Sequence, residues 1–190
     1  MRKTRLPAHR LPPGGFTLIE LMIALSLIGI LLALAAPSLQ EAMMSIRITG
    51  HTNDLMGDLA VARSEAVKRN IPVVLCSSTD GQACSAGASW NQGWIVYPDV
   101  DASGAQNGTA EVALKTRGTL QGSPTLTLNC VGSSDKSVTY KSTGMSTSPF
   151  SIFTLCDSRT TANGGRTITI NTTGRVISAR GTCPITAACP

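Results

Sequence analysis

Histidine is almost missing from this chain of 190 residues, where only His9 and His51 occur. No Cys-x-x-Cys pair accompanies them, so the spacings that hold a zinc ion are excluded. No segment has the form of a nucleophile elbow or a phosphate-binding loop either. The chain therefore reads as a non-enzyme that calls for no cofactor and no metal. One stretch, DVDASG at residues 99–104, faintly resembles a calcium loop. It lacks the spaced oxygen ligands and the terminal glutamate of such a site.

Acids are absent from two places. None stands among the first fifteen residues, which hold Arg2, Lys3, Arg5 and Arg10, and none follows Asp157, after which come Arg159, Arg166, Arg175 and Arg180. Setting aside the four N-terminal cations leaves twelve of the sixteen basic residues against eleven acids. The formal charge of +5 is then mostly a topology signal and says little about partners. The C-terminal excess hints at an anionic partner, while four solvated arginines on a β-rich surface account for it equally well. Aromatics make up 4% of the chain and none accompanies these arginines, so a base-stacking platform for single strands is unsupported.

What is present in quantity is one apolar run, GGFTLIELMIALSLIGILLALAAPS. Residues 16–36 are apolar or small apart from Thr17, Ser26 and Glu20. At ~1.5 Å per residue this length matches the ~30 Å of a bilayer core. The preceding cations keep the N-terminus cytoplasmic and send the rest across the membrane. A signal peptide cut near Ala33-Leu34-Ala35 and an ordinary signal anchor are the competing readings. Neither uses Glu20, whose carboxylate costs up to ~3 kcal/mol inside a spanning helix and by default marks function.

Beyond Pro37 the helical pattern continues, with Leu55, Leu59, Ala62 and Ala66 forming one apolar stripe as far as Arg69. Pro37 is expected to kink this helix, and Asn70-Ile71-Pro72 to end it. Eight β-branched segments follow: IPVVLC, GWIVYP, EVALKT, TLTLNCV, SVTYK, FSIFTLC, RTITIN and RVISAR. Their short length and strict alternation, with Ile168 and Ile170 on an inward face, predict an antiparallel sandwich of about eight strands packed on the helix, an α+β fold. All six cysteines lie in the exported part, where an oxidising compartment favours disulfides. Cys76 with Cys84 is the pair best supported, across the turn residues SSTDG, and Cys156 with Cys183 is a second. Pairing of Cys130 with Cys189 would follow only by elimination.

The start of the apolar run, PPGGFTLIEL, resembles the processing site of type IV prepilins and type II secretion pseudopilins. The resemblance implies that a prepilin peptidase cuts between Gly15 and Phe16 and methylates the new terminus. Glu20 then becomes an assembly residue, one turn into the helix and able to pair with the α-ammonium of a neighbouring subunit. LAVARSEAVKRNIPVVLCSS, GWIVYPD, SVTYKSTGMS and RTITINTTGRV extend the likeness to the GspH/FimT family of minor pilins and pseudopilins. That family implies a leader at 1–15, a membrane half-helix at 16–36, an extracytoplasmic half-helix at 37–70 and a β-rich domain at 71–190. It also implies an inner-membrane protein whose periplasmic domain joins a pilus or pseudopilus with other pilins.

Two roles occur in the family: assembly of a type IV pilus, with non-specific binding of double-stranded DNA in some members, and protein secretion alone through contacts among pseudopilins. DNA contact is associated there with a Gly-Arg-x-Arg motif. Here Gly174-Arg175-Val176-Ile177 supplies only the first arginine. In a regular strand Arg180 points away from Arg175. A bulge at Gly181, or Arg166 reaching across the 171–174 turn, could restore a shared basic surface.

Overall fold

The computed structural model describes residues 15–85, 87–107, 109–129, 137–159, 164–181 and 183. It divides into two compact units, one ending at Glu41 and the other beginning at Ala42. A single helix, α1 (Leu18–Arg69), contributes to both. Pro37 lies inside α1 without ending it. A proline deletes one amide donor, and α1 continues on both sides of that gap. Asn70 adopts a left-handed conformation with φ of 56°, and Pro72 follows, so α1 stops where turn chemistry replaces helix formers.

In the first unit residues 18–36 are helical and exposed throughout. This is the one described helix long and apolar enough to cross a membrane.

The second unit holds eight strands in two antiparallel sheets. In one, β1 (Val73–Ser77), β2 (Trp94–Pro98), β3 (Lys115–Arg117) and β5 (Ser137–Tyr140) run in the order β3-β2-β1-β5. In the other, β4 (Thr125–Asn129), β6 (Phe150–Cys156), β7 (Gly165–Asn171) and β8 (Val176–Gly181) run in the order β4-β6-β7-β8. All eight segments anticipated from alternation form strands, although β3 is shorter than EVALKT suggested. Glu111 turns its buried carboxylate to the amides of Val100 and Asn107, which ties the first part of that segment to a loop.

Burial follows the period of each element. On α1 the stripe of Ile48, Leu55, Leu59, Ala62 and Ala66 meets Leu75, Trp94 and Val96 of one sheet and Phe153, Ile168 and Ile170 of the other. Alternate residues of β1 and β2 (Val74, Cys76, Ile95 and Tyr97) form a second cluster on the far face, with Cys84 packed against it. The Cys76–Cys84 disulfide, with Cα atoms 5.7 Å apart, fastens that covering loop. Asp80 helps to shape it by accepting the amides of Gln82 and Ala83, bonds that lower its pKa. Cys156–Cys183, 5.9 Å between Cα atoms, ties β6 to the segment after β8. Cys130 and Cys189 lie outside the described residues.

One charged residue interrupts the apolar stripe. Asp58 is 1% exposed, accepts the indole N–H of Trp94 at 2.8 Å, and pairs with Lys115 Nζ at 2.5 Å and Arg117 Nε at 3.7 Å. A buried carboxylate without such donors would be strongly unfavourable, so these partners fix which way the helix faces β2 and β3. Replacing Asp58 by Ala strands the Trp94 indole and Lys115, while Arg117 keeps Asp54 at 3.1 Å, and should cost about 3 kcal/mol. Thermal and urea unfolding of Asp58→Ala beside wild type measure this; an unchanged midpoint would contradict it.

Candidate functional site

Two places carry the residues singled out from the sequence. The first is the start of α1. Thr17 stands just before the helix, and its hydroxyl accepts the Glu20 amide at 3.2 Å while its carbonyl accepts the Leu21 amide at 3.2 Å. This is the threonine half of a Thr-x-x-Glu capping box, legible in TLIE but overlooked in favour of the carboxylate alone. The Glu20 side chain is exposed and makes no hydrogen bond or ion pair among the described residues. Gly15 and Phe16 precede the helix as exposed residues outside any helix or strand, Phe16 with 88% of its surface open.

The second place is the β7–β8 hairpin. Its turn is built by Asn171, whose carbonyl accepts the Gly174 amide at 2.8 Å and whose side chain accepts the Arg175 amide at 3.0 Å and the Thr173 hydroxyl at 2.7 Å. Gly174 has φ of 75°, as the third residue of a three-residue hairpin loop requires. It is also crowded: a Cβ there would lie 2.1 Å from the Gly144 carbonyl oxygen. The turn is held to α1 by Arg63, which donates to the Thr173 carbonyl at 3.1 Å. Gly174 thus serves the backbone, and Arg175 extends into solvent from the turn.

The register sets the arginines apart. Arg166 lies directly opposite Arg180, and Ile168 opposite Ser178, so both arginines share the face of the buried isoleucines and point toward α1. Arg175 stands at the other end of the hairpin, about 17 Å away at ~3.3 Å per residue. Gly181 pairs in register with Gly165, so no bulge turns Arg180 round. Neither route to a shared surface, a bulge at Gly181 or Arg166 beside the turn, is realised, because regular pairing carries Arg166 to the opposite end. Arg159 is engaged elsewhere, with Asp157 through its Nε at 2.8 Å and with Ser45 at 3.1 Å.

A third cluster lies in the loop that begins with DVDASG. Asp99, Asp101 and Glu111 place carboxylate oxygens within 4.8 Å of one another. The glutamate missing from DVDASG comes from seven residues beyond it, a return that spacing within the motif could not reveal. Both oxygens of Asp99 accept loop amides, from Ser103 at 3.0 Å and Gly104 at 2.9 Å, and both of Glu111 accept the amides of Val100 and Asn107. Burial raises the Asp99 pKa, whereas hydrogen bonds from Ser103 lower that of Asp101. The oxygens close the loop on itself.

A family model described as type II transport protein GspH matches residues 51–174, well over half of the chain. The chain belongs to the GspH family. A second model, the prokaryotic N-terminal methylation motif, matches residues 13–36 and implies processing by a prepilin peptidase and assembly with other pilins. Among solved structures the type IV minor pilin FimU of Pseudomonas aeruginosa is 19% identical, with a TM-score of 0.50 over 68% of this chain and 86% of that one. The minor pseudopilin EpsH of the Vibrio cholerae type 2 secretion system is 12% identical, with a TM-score of 0.47 over 70% of this chain and 97% of that one. No curated protein sequence matches. The likeness to FimU is one of fold: a long N-terminal helix carrying two antiparallel sheets. Proteins of this family are structural subunits.

The turn geometry separates the two members of the Gly-Arg pair. Gly174→Ala should lose about 3 kcal/mol, from the left-handed backbone and the clash with Gly144. Arg175→Ala should stay within about 0.5 kcal/mol of wild type in denaturant titrations. Equal losses would show that the turn depends on the arginine side chain.

Proposed function

We propose that this GspH-family chain is a membrane-anchored minor subunit of a type IV pilus or type II secretion pseudopilus and acts in fibre assembly. In this reading prepilin peptidase cuts between Gly15 and Phe16, residues 16–36 hold the mature subunit in the inner membrane, and the unit beginning at Ala42 stands on the periplasmic side. The observation that carries it is Glu20. Its carboxylate sits in the first turn of α1, within the exposed apolar stretch 18–36, makes no hydrogen bond or ion pair among the described residues, and leaves helix capping to Thr17. A group so costly in hydrocarbon is stabilised by the helix dipole and by an α-ammonium on Phe16 of an adjacent subunit.

Between the family roles, assembly without DNA capture is the better supported. Non-specific duplex binding draws its affinity from several cations that reach phosphates together. Arg175 stands about 17 Å from Arg166 and Arg180 and on the opposite face, which argues against these three arginines reaching phosphates as one group. The choice between pilus and secretion system follows from deletion of the gene: loss of secreted exoproteins with normal piliation assigns it to secretion, and loss of pili to the pilus.

Glu20→Ala should be cleaved and membrane-inserted like wild type yet fall about tenfold or more in sheared fibre fractions, since one unpaired terminus costs a few kcal/mol. Wild-type incorporation would overturn the proposed pairing. Gly15→Val should retain the leader, seen by mass spectrometry. In detergent, the processed chain should bind labelled duplex DNA no more tightly than its Arg175→Ala variant; salt-sensitive binding lost with Arg175→Ala would restore the DNA-capturing role.

A further inference from the structure

The Arg166–Arg180 pair is left without a role by fibre anchoring. Like charges directly opposite on adjacent strands repel, and such a pair is unfavourable unless an anion bridges it. Both side chains line a recess of about 610 Å³ whose other wall is α1, through Ser45, Thr49, Gly50 and Asn53. The space beside Gly50 is open, since a Cβ there would meet nothing within 4 Å. The Arg166 side chain donates one N–H to the Gly165 carbonyl at 3.0 Å, and among the described residues the Arg180 side chain makes neither a hydrogen bond nor an ion pair. Burial and the charges of Arg180 and Arg159 lower the Arg166 pKa, as expected where cations crowd. Asp157, whose charge acts on Arg166, is itself paired with Arg159.

We propose that this recess receives a carboxylate side chain, Asp or Glu, from a neighbouring subunit of the fibre. A carboxylate between the two guanidinium groups replaces their repulsion with charge-assisted hydrogen bonds, for which the planar fork of arginine is suited. The Asn53 amide, which has no partner among the described residues, stands on the facing wall to bond the remaining lone pairs. Ile46, 71% exposed at the edge, offers apolar contact to the chain that carries the acid. A duplex presents its phosphates on a convex surface, whereas this recess has α1 as one wall, so a protruding side chain reaches both guanidinium groups more readily than a duplex backbone does. This inference rests on the fibre-subunit reading and adds to it the chemistry of one contact.

The processed chain in detergent micelles, with assigned arginine Nε–H resonances, is titrated with capped hexaglutamate, capped hexaglutamine, inorganic phosphate and duplex DNA. Hexaglutamate should shift the Arg166 and Arg180 signals saturably and leave Arg175 in place, while hexaglutamine shifts none. Arg180→Gln should weaken the peptide about tenfold, with Arg180→Lys retaining part of the affinity. Arg180→Gln should also melt no lower than wild type, because it relieves like-charge repulsion. Equal shifts at Arg175, saturation of the pair by phosphate or DNA at lower concentration than by hexaglutamate, or a large loss of stability in Arg180→Gln would overturn the proposal. Fibre incorporation of the Glu20→Ala variant is read separately, so failure of either idea leaves the other measurable.

Discussion

The buried carboxylate of Asp58 is the constraint on which the arrangement of the second unit depends. Apolar side chains alone define a stripe about a third of the way round a helix, and such a stripe tolerates some rotation and sliding. A charge in the middle of that stripe does not. Asp58 is stable only where the Trp94 indole, Lys115 and Arg117 converge, and these come from β2 and β3. Once the helix is fixed by that pairing, the face opposite Asp58 is fixed as well. Thr49, Gly50 and Asn53 are thereby exposed, and α1 becomes one wall of the recess that holds Arg166 and Arg180.

The two ends of the chain pose the same physical problem in different solvents. Glu20 is a carboxylate in a helix suited to hydrocarbon, and Arg166 with Arg180 is a cationic pair on one side of a ladder. Each arrangement is unfavourable within a single chain and becomes favourable when a second chain supplies the opposite charge. A subunit made to polymerise can carry such local penalties, since association offsets them and makes the assembled state specific. The glycine at position 174, by contrast, answers to the fold alone: it permits a turn that rests against Gly144 and is held by Arg63.

Loops close through side chains where strands give out. Asp99 and Glu111 each satisfy two backbone amides from within the protein, and Asp80 does the same beside the Cys76–Cys84 bridge. These carboxylates take the place of ladder hydrogen bonds, which explains why β3 begins late and why a motif resembling a calcium loop can be spent on shaping the chain.

Much of this was written locally. The apolar run, the glycine and aromatic at its start, Glu20, the helix stripe through Leu55 and Ala66, and the alternating strands are periodic or contiguous features, and their physics operates between residues near in sequence. The Cys76–Cys84 pair is legible for the same reason, with a turn of small polar residues between its partners. Asp58 was not legible, because one acid in an apolar stripe looks like a surface residue until strands β2 and β3 bring cations and an indole to it. Nor was the pairing of Arg166 with Arg180, since register decides which residues oppose one another and a shift of one position would send them to opposite faces. The sequence by itself determined which segments are helix, strand and membrane run. Only the tertiary structure decided which charges meet, because those meetings depend on long-range register and on the rotation of a helix that a single buried carboxylate fixes.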